Sequence, residues 1–119
     1  QLEFPQGKLV RAVVGTILDV AVDIRLGSPT YARYIIVELS AENKKMLYVP
    51  EGFAHGYLVI SDESIVTYKC TNFYNPDDEY GIRWDDKTIN IDWGHNSPII
   101  SKKDDNLPLL KYQKLLPKY

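Results

Sequence analysis

The sequence predicts an all-β sandwich or barrel. Three observations carry that reading: short runs rich in Val, Ile and Tyr, turn signals recurring about every 8 to 12 residues, and strict period-two alternation in the second run.

Residues 9–14 (LVRAVV) and 17–24 (ILDVAVDI) read as two strands joined by a tight turn at Gly15-Thr16, because β-branched side chains fit a pleated, half-buried surface. In the second strand Leu18, Val20, Val22 and Ile24 point one way, while Ile17, Asp19, Ala21 and Asp23 point the other. One face is apolar and the other carries two carboxylates. After the turn Gly27-Ser28-Pro29, residues 31–39 (YARYIIVEL) predict a third strand. Residues 40–43 form a turn with some helical character, and 46–49 (MLYV) a fourth strand. Pro50-Glu51-Gly52 reverses the chain into a strand over 53–60, and Asp62-Glu63-Ser64 into one over 65–71. From Asn72 onward, loop clusters with isolated aromatics predict a tail that wraps the barrel. Within it, Leu109, Tyr112, Leu115 and Leu116 share a stripe that predicts a short C-terminal helix over 109–116.

Length and composition bound the function classes. At 119 residues the chain holds one domain with a core of its own, and 45% hydrophobic with 25% charged residues is ordinary for a globular protein. A net charge of -2 and the absence of a basic stripe argue against nucleic acid as a partner. No apolar run approaches the roughly twenty residues that cross a membrane as a helix. The N-terminal QLEFPQGK lacks the pattern of a secretory signal, and the single Cys70 fits a reducing compartment, so the expected location is cytoplasmic. Phosphate loops, nucleophile elbows and CxxC pairs are absent, and two histidines far apart in sequence make a metal site hard to build.

His55 stands out because it enters a strand that is otherwise apolar, in PEGFAHGY. On spacing alone, a core histidine bonded to a neighbour is the commoner explanation. Asp19 sits mid-strand between Leu18 and Val20 and needs a partner if buried, which a histidine would supply. Tyr68 shares a strand face with Val66 and Cys70; a phenol donates protons when its surroundings favour it, although strand tyrosines are more often packing. Lys8, at the mouth of the first strand, offers an ammonium for an oxyanion or phosphate, against the plainer reading of a surface lysine. Tyr74 beside Phe73 offers a stacking face. Asp77-Asp78-Glu79 and Ser101-Lys102-Lys103-Asp104-Asp105 read by default as solvated loops.

In order along the chain, the blocks QGKLVRAVVG, LDVAVDIRLGSPT, VELSAENK, YVPEGFAHGYLV, YKCTNFY, GIRWDD, IDWG and ISKKD closely resemble the dTDP-4-dehydrorhamnose 3,5-epimerases. The resemblance implies a cupin-like double-stranded β-helix, a jelly roll, that works as a homodimer without metal or organic cofactor. Its substrate would be a dTDP-linked 4-keto-6-deoxyhexose, epimerised at C3 and C5 in dTDP-rhamnose biosynthesis. Matched residue by residue, the resemblance assigns Lys8 to the enolate, His55 to substrate contact with Asp19 as its carboxylate partner, and Tyr68 to proton donation. It assigns Tyr74 to stacking on thymine, Glu79 and Lys103 to the nucleotide and phosphate portion, and Asp104 to orienting the catalytic base.

The family's base is a histidine in an arginine-glycine-leucine-histidine motif that would lie upstream of this chain, with Gln1 as the glutamine closing the motif. Residues 1–119 are therefore expected to form a single domain that is N-terminally incomplete relative to the family, either as part of a longer protein or as a member without the base. Two alternatives stay open: a non-catalytic nucleotide-sugar binding module, and a relative that epimerises only C3.

Overall fold

The computed structural model describes residues 1–119. Six strands carry the fold: β1 (Lys8–Val14), β2 (Thr16–Asp23), β3 (Tyr34–Ser40), β4 (Met46–Val49), β5 (Phe53–Val59) and β6 (Ile65–Cys70). All pairings are antiparallel and make two three-stranded sheets, ordered β4-β1-β6 and β3-β2-β5. Only β2 and β3 are successive strands of one sheet; every other connection passes from sheet to sheet, so the chain winds as a sandwich.

The first crossing is made by Gly15, at φ +73°, where an added Cβ would collide with the Glu63 carbonyl oxygen. Only glycine enters that conformation at no steric cost. The β3–β4 turn is held by Asn43, whose Oδ1 accepts from the Ser40 and Lys45 backbone N–H groups at 3.0 and 2.9 Å.

Between the sheets lie Val10 and Ala12 of β1, Ile17 and Ala21 of β2, Leu39 of β3 and Val49 of β4, all buried. Each large aliphatic here contributes about 1.5–3 kcal/mol by leaving water. The opposite face of β2, with Val20 and Val22, is buried under Ile89 and Leu110, so the tail wraps the outside of the sheet as expected. The predicted parity of β2 holds, yet both its faces are buried, including Asp19 and Asp23 at 0% and 2% exposure.

Two predicted elements differ. β3 begins at Tyr34 rather than residue 31, because residues 28–33 turn around the end of β2: Ala32 has φ +63° and its N–H reaches the Asp23 carbonyl at 2.8 Å. The C-terminal helix predicted over 109–116 is not formed. Only a 3₁₀ turn, Leu110–Tyr112, appears there. The Leu110 N–H is drawn to the buried Asp86 carboxylate at 2.7 Å, and the chain then runs extended until Lys118 bridges Leu26. A one-turn helix, α1 (Lys102–Asp105), forms instead in the mixed-charge segment, with Ser101 Oγ capping the Asp104 N–H at 3.1 Å.

Candidate active site

At the end of the sandwich where β1 and β5 begin and β4 ends lies an open cavity of about 280 Å³. Lys8 and His55 reach it from β1 and β5, Asp104 and Lys103 from α1, and Glu79 and Gln1 from the flanking loops.

His55 is held from behind. Its Nε2 lies 2.6 Å from Oδ1 of Asp19, whose side chain is fully buried while that of His55 is 14% exposed. The strand register explains the geometry: Asp19 stands directly across from Tyr57, and Ala21 from His55, so carboxylate and imidazole meet diagonally on the inner face of the β2–β5 pair. A carboxylate in a dry core requires a partner, and His55 supplies it.

On the facing sheet, β1 and β6 place Lys8 across from Cys70, and Val10 from Tyr68. The Lys8 ammonium lies 5.6 Å from the centroid of the Tyr68 ring, within cation–π range. A third group stands beside them. Lys103 Nζ donates to Glu79 Oε2 at 2.5 Å, and the Tyr74 hydroxyl donates to the same oxygen at 3.0 Å. Lys103's hydrogen bond holds the Glu79 carboxyl below its ordinary range against the opposing effect of burial. Glu79 in turn pushes the Lys103 ammonium and the Tyr74 phenol upward. The cavity thus presents ammonium groups, an imidazole on a buried carboxylate, and an apolar wall that includes Ile24, Phe53, Leu107 and Leu116. Such a set suits a ligand with an anionic portion and a polarisable carbonyl.

Of the nine residues singled out from sequence, Gln1, Lys8, His55, Glu79, Lys103 and Asp104 line this cavity. Asp19 is buried behind it. Tyr68 and Tyr74 do not line it: they stand 58% and 63% exposed at its rim, attached through Lys8 and Glu79. Gln1 braces the 72–75 loop as well, its Nε2 donating to the Phe73 carbonyl at 3.0 Å and its Oε1 accepting from the Asn75 N–H at 2.8 Å. Sequence reasoning missed the apolar wall. Phe53 was legible only as a strand residue, and Leu115 and Leu116 only as a helical stripe.

The family model for dTDP-4-dehydrorhamnose 3,5-epimerase matches residues 1–112. A dTDP-4-dehydrorhamnose 3,5-epimerase of Shigella flexneri is 57% identical over 107 residues, covering 89% of this chain and 59% of that protein. A crystal structure of dTDP-6-deoxy-D-glucose-3,5-epimerase from Legionella pneumophila, in complex with dTDP-4-keto-L-rhamnose, superposes with a TM-score of 0.92 at 45% identity. That match covers 96% of this chain and 62% of the Legionella one. A 3'-monoepimerase from Streptomyces bikiniensis in complex with dTDP-quinovose gives a TM-score of 0.90 at 35% identity, over 96% of this chain and 60% of its own. The chain therefore spans about three-fifths of the length of these relatives. Its two-sheet winding is the cupin-like jelly roll expected from the sequence.

Proposed function

The chain belongs to the dTDP-4-dehydrorhamnose 3,5-epimerase family, and from that premise we propose that the complete protein epimerises a dTDP-linked 4-keto-6-deoxyhexose at C3 and C5, the isomerase step of dTDP-rhamnose biosynthesis. The observation that carries this reading is the convergence of Lys8, the His55–Asp19 pair and the Glu79–Lys103 pair on one cavity.

The chemistry follows from those positions. Hydrogens on the carbons flanking the C4 ketone are acidic because their removal leaves an enolate. Its oxygen gathers negative charge, which the Lys8 ammonium and the His55 imidazole stabilise. Tyr68, beside Lys8, returns a proton from the face opposite the one that lost it, which inverts the carbon. Lys103 takes the diphosphate, Glu79 the nucleotide, and Tyr74 stacks on thymine. Asp104 orients the base. His55 is the one histidine lining the cavity, and it already faces Asp19. The resemblance to the family assigns the abstracting base to the histidine of an arginine-glycine-leucine-histidine motif, which residues 1–119 do not contain. Residues 1–119 form a single domain, Gln1 adjoins that base, and the complete protein acts as a homodimer in the cytoplasm, where the exposed free Cys70 stays reduced.

The test is incorporation of solvent deuterium at C3 and C5 of the keto sugar by the complete protein. Exchange at both carbons with inversion supports the reading, and no exchange at either overturns it. Product stereochemistry separates it from a 3-only epimerase, a reading favoured by the likeness to the Streptomyces monoepimerase. A second reading rests on the pocket residues being kept in a stretch without the family's base motif: residues 1–119 act as a non-catalytic module that binds the nucleotide sugar without turnover. Binding of thymidine diphosphate by the isolated chain, with no proton exchange, is the expected result.

A further inference from the structure

We infer that Arg25 is a positioning residue of the same cavity, clamping residues 113–119 in place as its apolar wall. The inference rests on the functional reading above.

It begins at the end of β2, where Asp23 is 2% exposed. Its carboxylate is saturated. Arg25 Nε and Nη2 each donate to it at 2.9 Å, Ser28 Oγ at 2.5 Å, Thr30 Oγ1 at 2.6 Å and the Arg25 backbone N–H at 3.1 Å. A bidentate pair on a fully bonded acceptor fixes the guanidinium plane, where a lone arginine would swing freely.

The Cζ of that fixed guanidinium lies 4.8 Å from the centroid of the Phe53 ring and 4.8 Å from that of the Tyr119 ring. Phe53 opens β5 and lines the cavity two residues before His55. Tyr119 lies in a segment stitched to the end of β2: the Leu26 N–H donates to the Pro117 carbonyl at 2.7 Å, and the Tyr119 N–H to the Leu26 carbonyl at 3.0 Å. Between these anchors and Gln113, whose Nε2 holds the Gly81 carbonyl at 2.9 Å, Leu115, Leu116 and Pro117 line the cavity. Arg25 and Tyr119 do not line it, so their effect on a ligand passes through Phe53 and this strap. The backbone is shaped around the clamp: a Cβ on Gly52, at φ +80°, would sit 2.9 Å from Arg25 Cγ.

The wall is built from contacts made before the ligand arrives, so loosening it weakens ground-state and transition-state binding alike. The complete protein should therefore respond in KM, with kcat held. Tyr119→Phe, which keeps the ring, is expected to behave as the wild type. Tyr119→Ala is expected to raise KM for the keto sugar nucleotide, and Kd for thymidine diphosphate, about fivefold with kcat within about twofold. Arg25→Lys, which keeps the charge and loses the bidentate plane, should fall between them. Should Tyr119→Ala fail to fold, Tyr119→Leu keeps apolar bulk without a π face and carries the same expectation. Unchanged KM and Kd in the folded variant, or a fall in kcat that merely tracks a lower melting point, overturns the inference. A wild type that binds thymidine diphosphate without epimerising, and binds it more weakly as Tyr119→Ala, overturns the functional reading and leaves the clamp standing. A wild type that neither turns over nor binds overturns both.

Discussion

The imidazole of His55 meets the fully buried carboxylate of Asp19 at 2.6 Å, and the second oxygen of that carboxylate has no hydrogen-bond partner. The ring is thus aimed by one charged contact made diagonally across β2 and β5. Asp19→Asn preserves the shape of that contact and removes its charge, and the amide has to place a donor or an acceptor against a ring nitrogen that faced a carboxylate. In the complete protein, kcat should fall about 10²-fold, since a positioned donor to a developing oxyanion is worth about 10² to 10³. Steady-state kinetics on a variant with native near-UV circular dichroism check this; activity within twofold of wild type would contradict the orienting role.

Tyr68 and Lys8 offer a separable test. Tyr68→Phe retains the ring beside the Lys8 ammonium, 5.6 Å away, and deletes only the hydroxyl. In the proposed mechanism abstraction then proceeds, but the enolate has lost its donor and is reprotonated from the face it left. Formation of inverted product should drop about 10²-fold while solvent deuterium still washes into the substrate. Loss of wash-in together with inversion would place Tyr68 in abstraction instead.

How far these relationships were legible follows from where each is encoded. Strand identity sits in local residue type, so all six strands were readable, as was the pairing of Asp19 with His55, since each is an apolar-strand polar residue that needs a partner. The start of β3 was not, because Asp23 draws Ser28 and Thr30 into a turn through side-chain hydrogen bonds that strand propensity does not register. The tail stripe at Leu109, Tyr112, Leu115 and Leu116 has helical spacing, yet burial of Leu110 on Val22 and the long-range bond to Asp86 outweigh two turns of weak helix. The rim position of Tyr68 and Tyr74 depends on how sheets and loops meet, which no local pattern carries.

Gly15 tests the winding of the fold itself. At φ +73° an alanine is strained whatever the space, and its methyl would collide with backbone, the Glu63 carbonyl oxygen, rather than with a side chain that can move aside. Gly15→Ala should cost at least about 2 kcal/mol, strain and displacement combined. Urea denaturation reads it as a lower midpoint with an unchanged slope. A loss below about 0.5 kcal/mol would mean that the turn relaxes without cost.

Acid stability singles out Asp23. The Arg25 guanidinium, helped by the hydroxyls of Ser28 and Thr30 and opposed by burial, holds its carboxyl far below the ordinary carboxylate range. In the unfolded chain the same group titrates near 3.9. Because the folded value is the lower one, the native state binds fewer protons; the contribution is fully present above about pH 4 and is lost as pH falls through the folded value. Glu79, Asp78 and Asp85 are also depressed, so the wild-type acid curve alone mixes several groups. The difference between wild type and Asp23→Asn isolates one of them. At pH 7 the amide leaves the partly exposed Arg25 without its anion and should cost about 1–2 kcal/mol. As pH drops from about 4 toward 2, protonation removes from the wild type what the substitution has already removed, so the two unfolding free energies should converge. Urea titrations at pH 7, 4 and 2.5 decide it: a gap that persists undiminished at the lowest pH would show that Asp23 acts through its shape and hydrogen bonds rather than its charge.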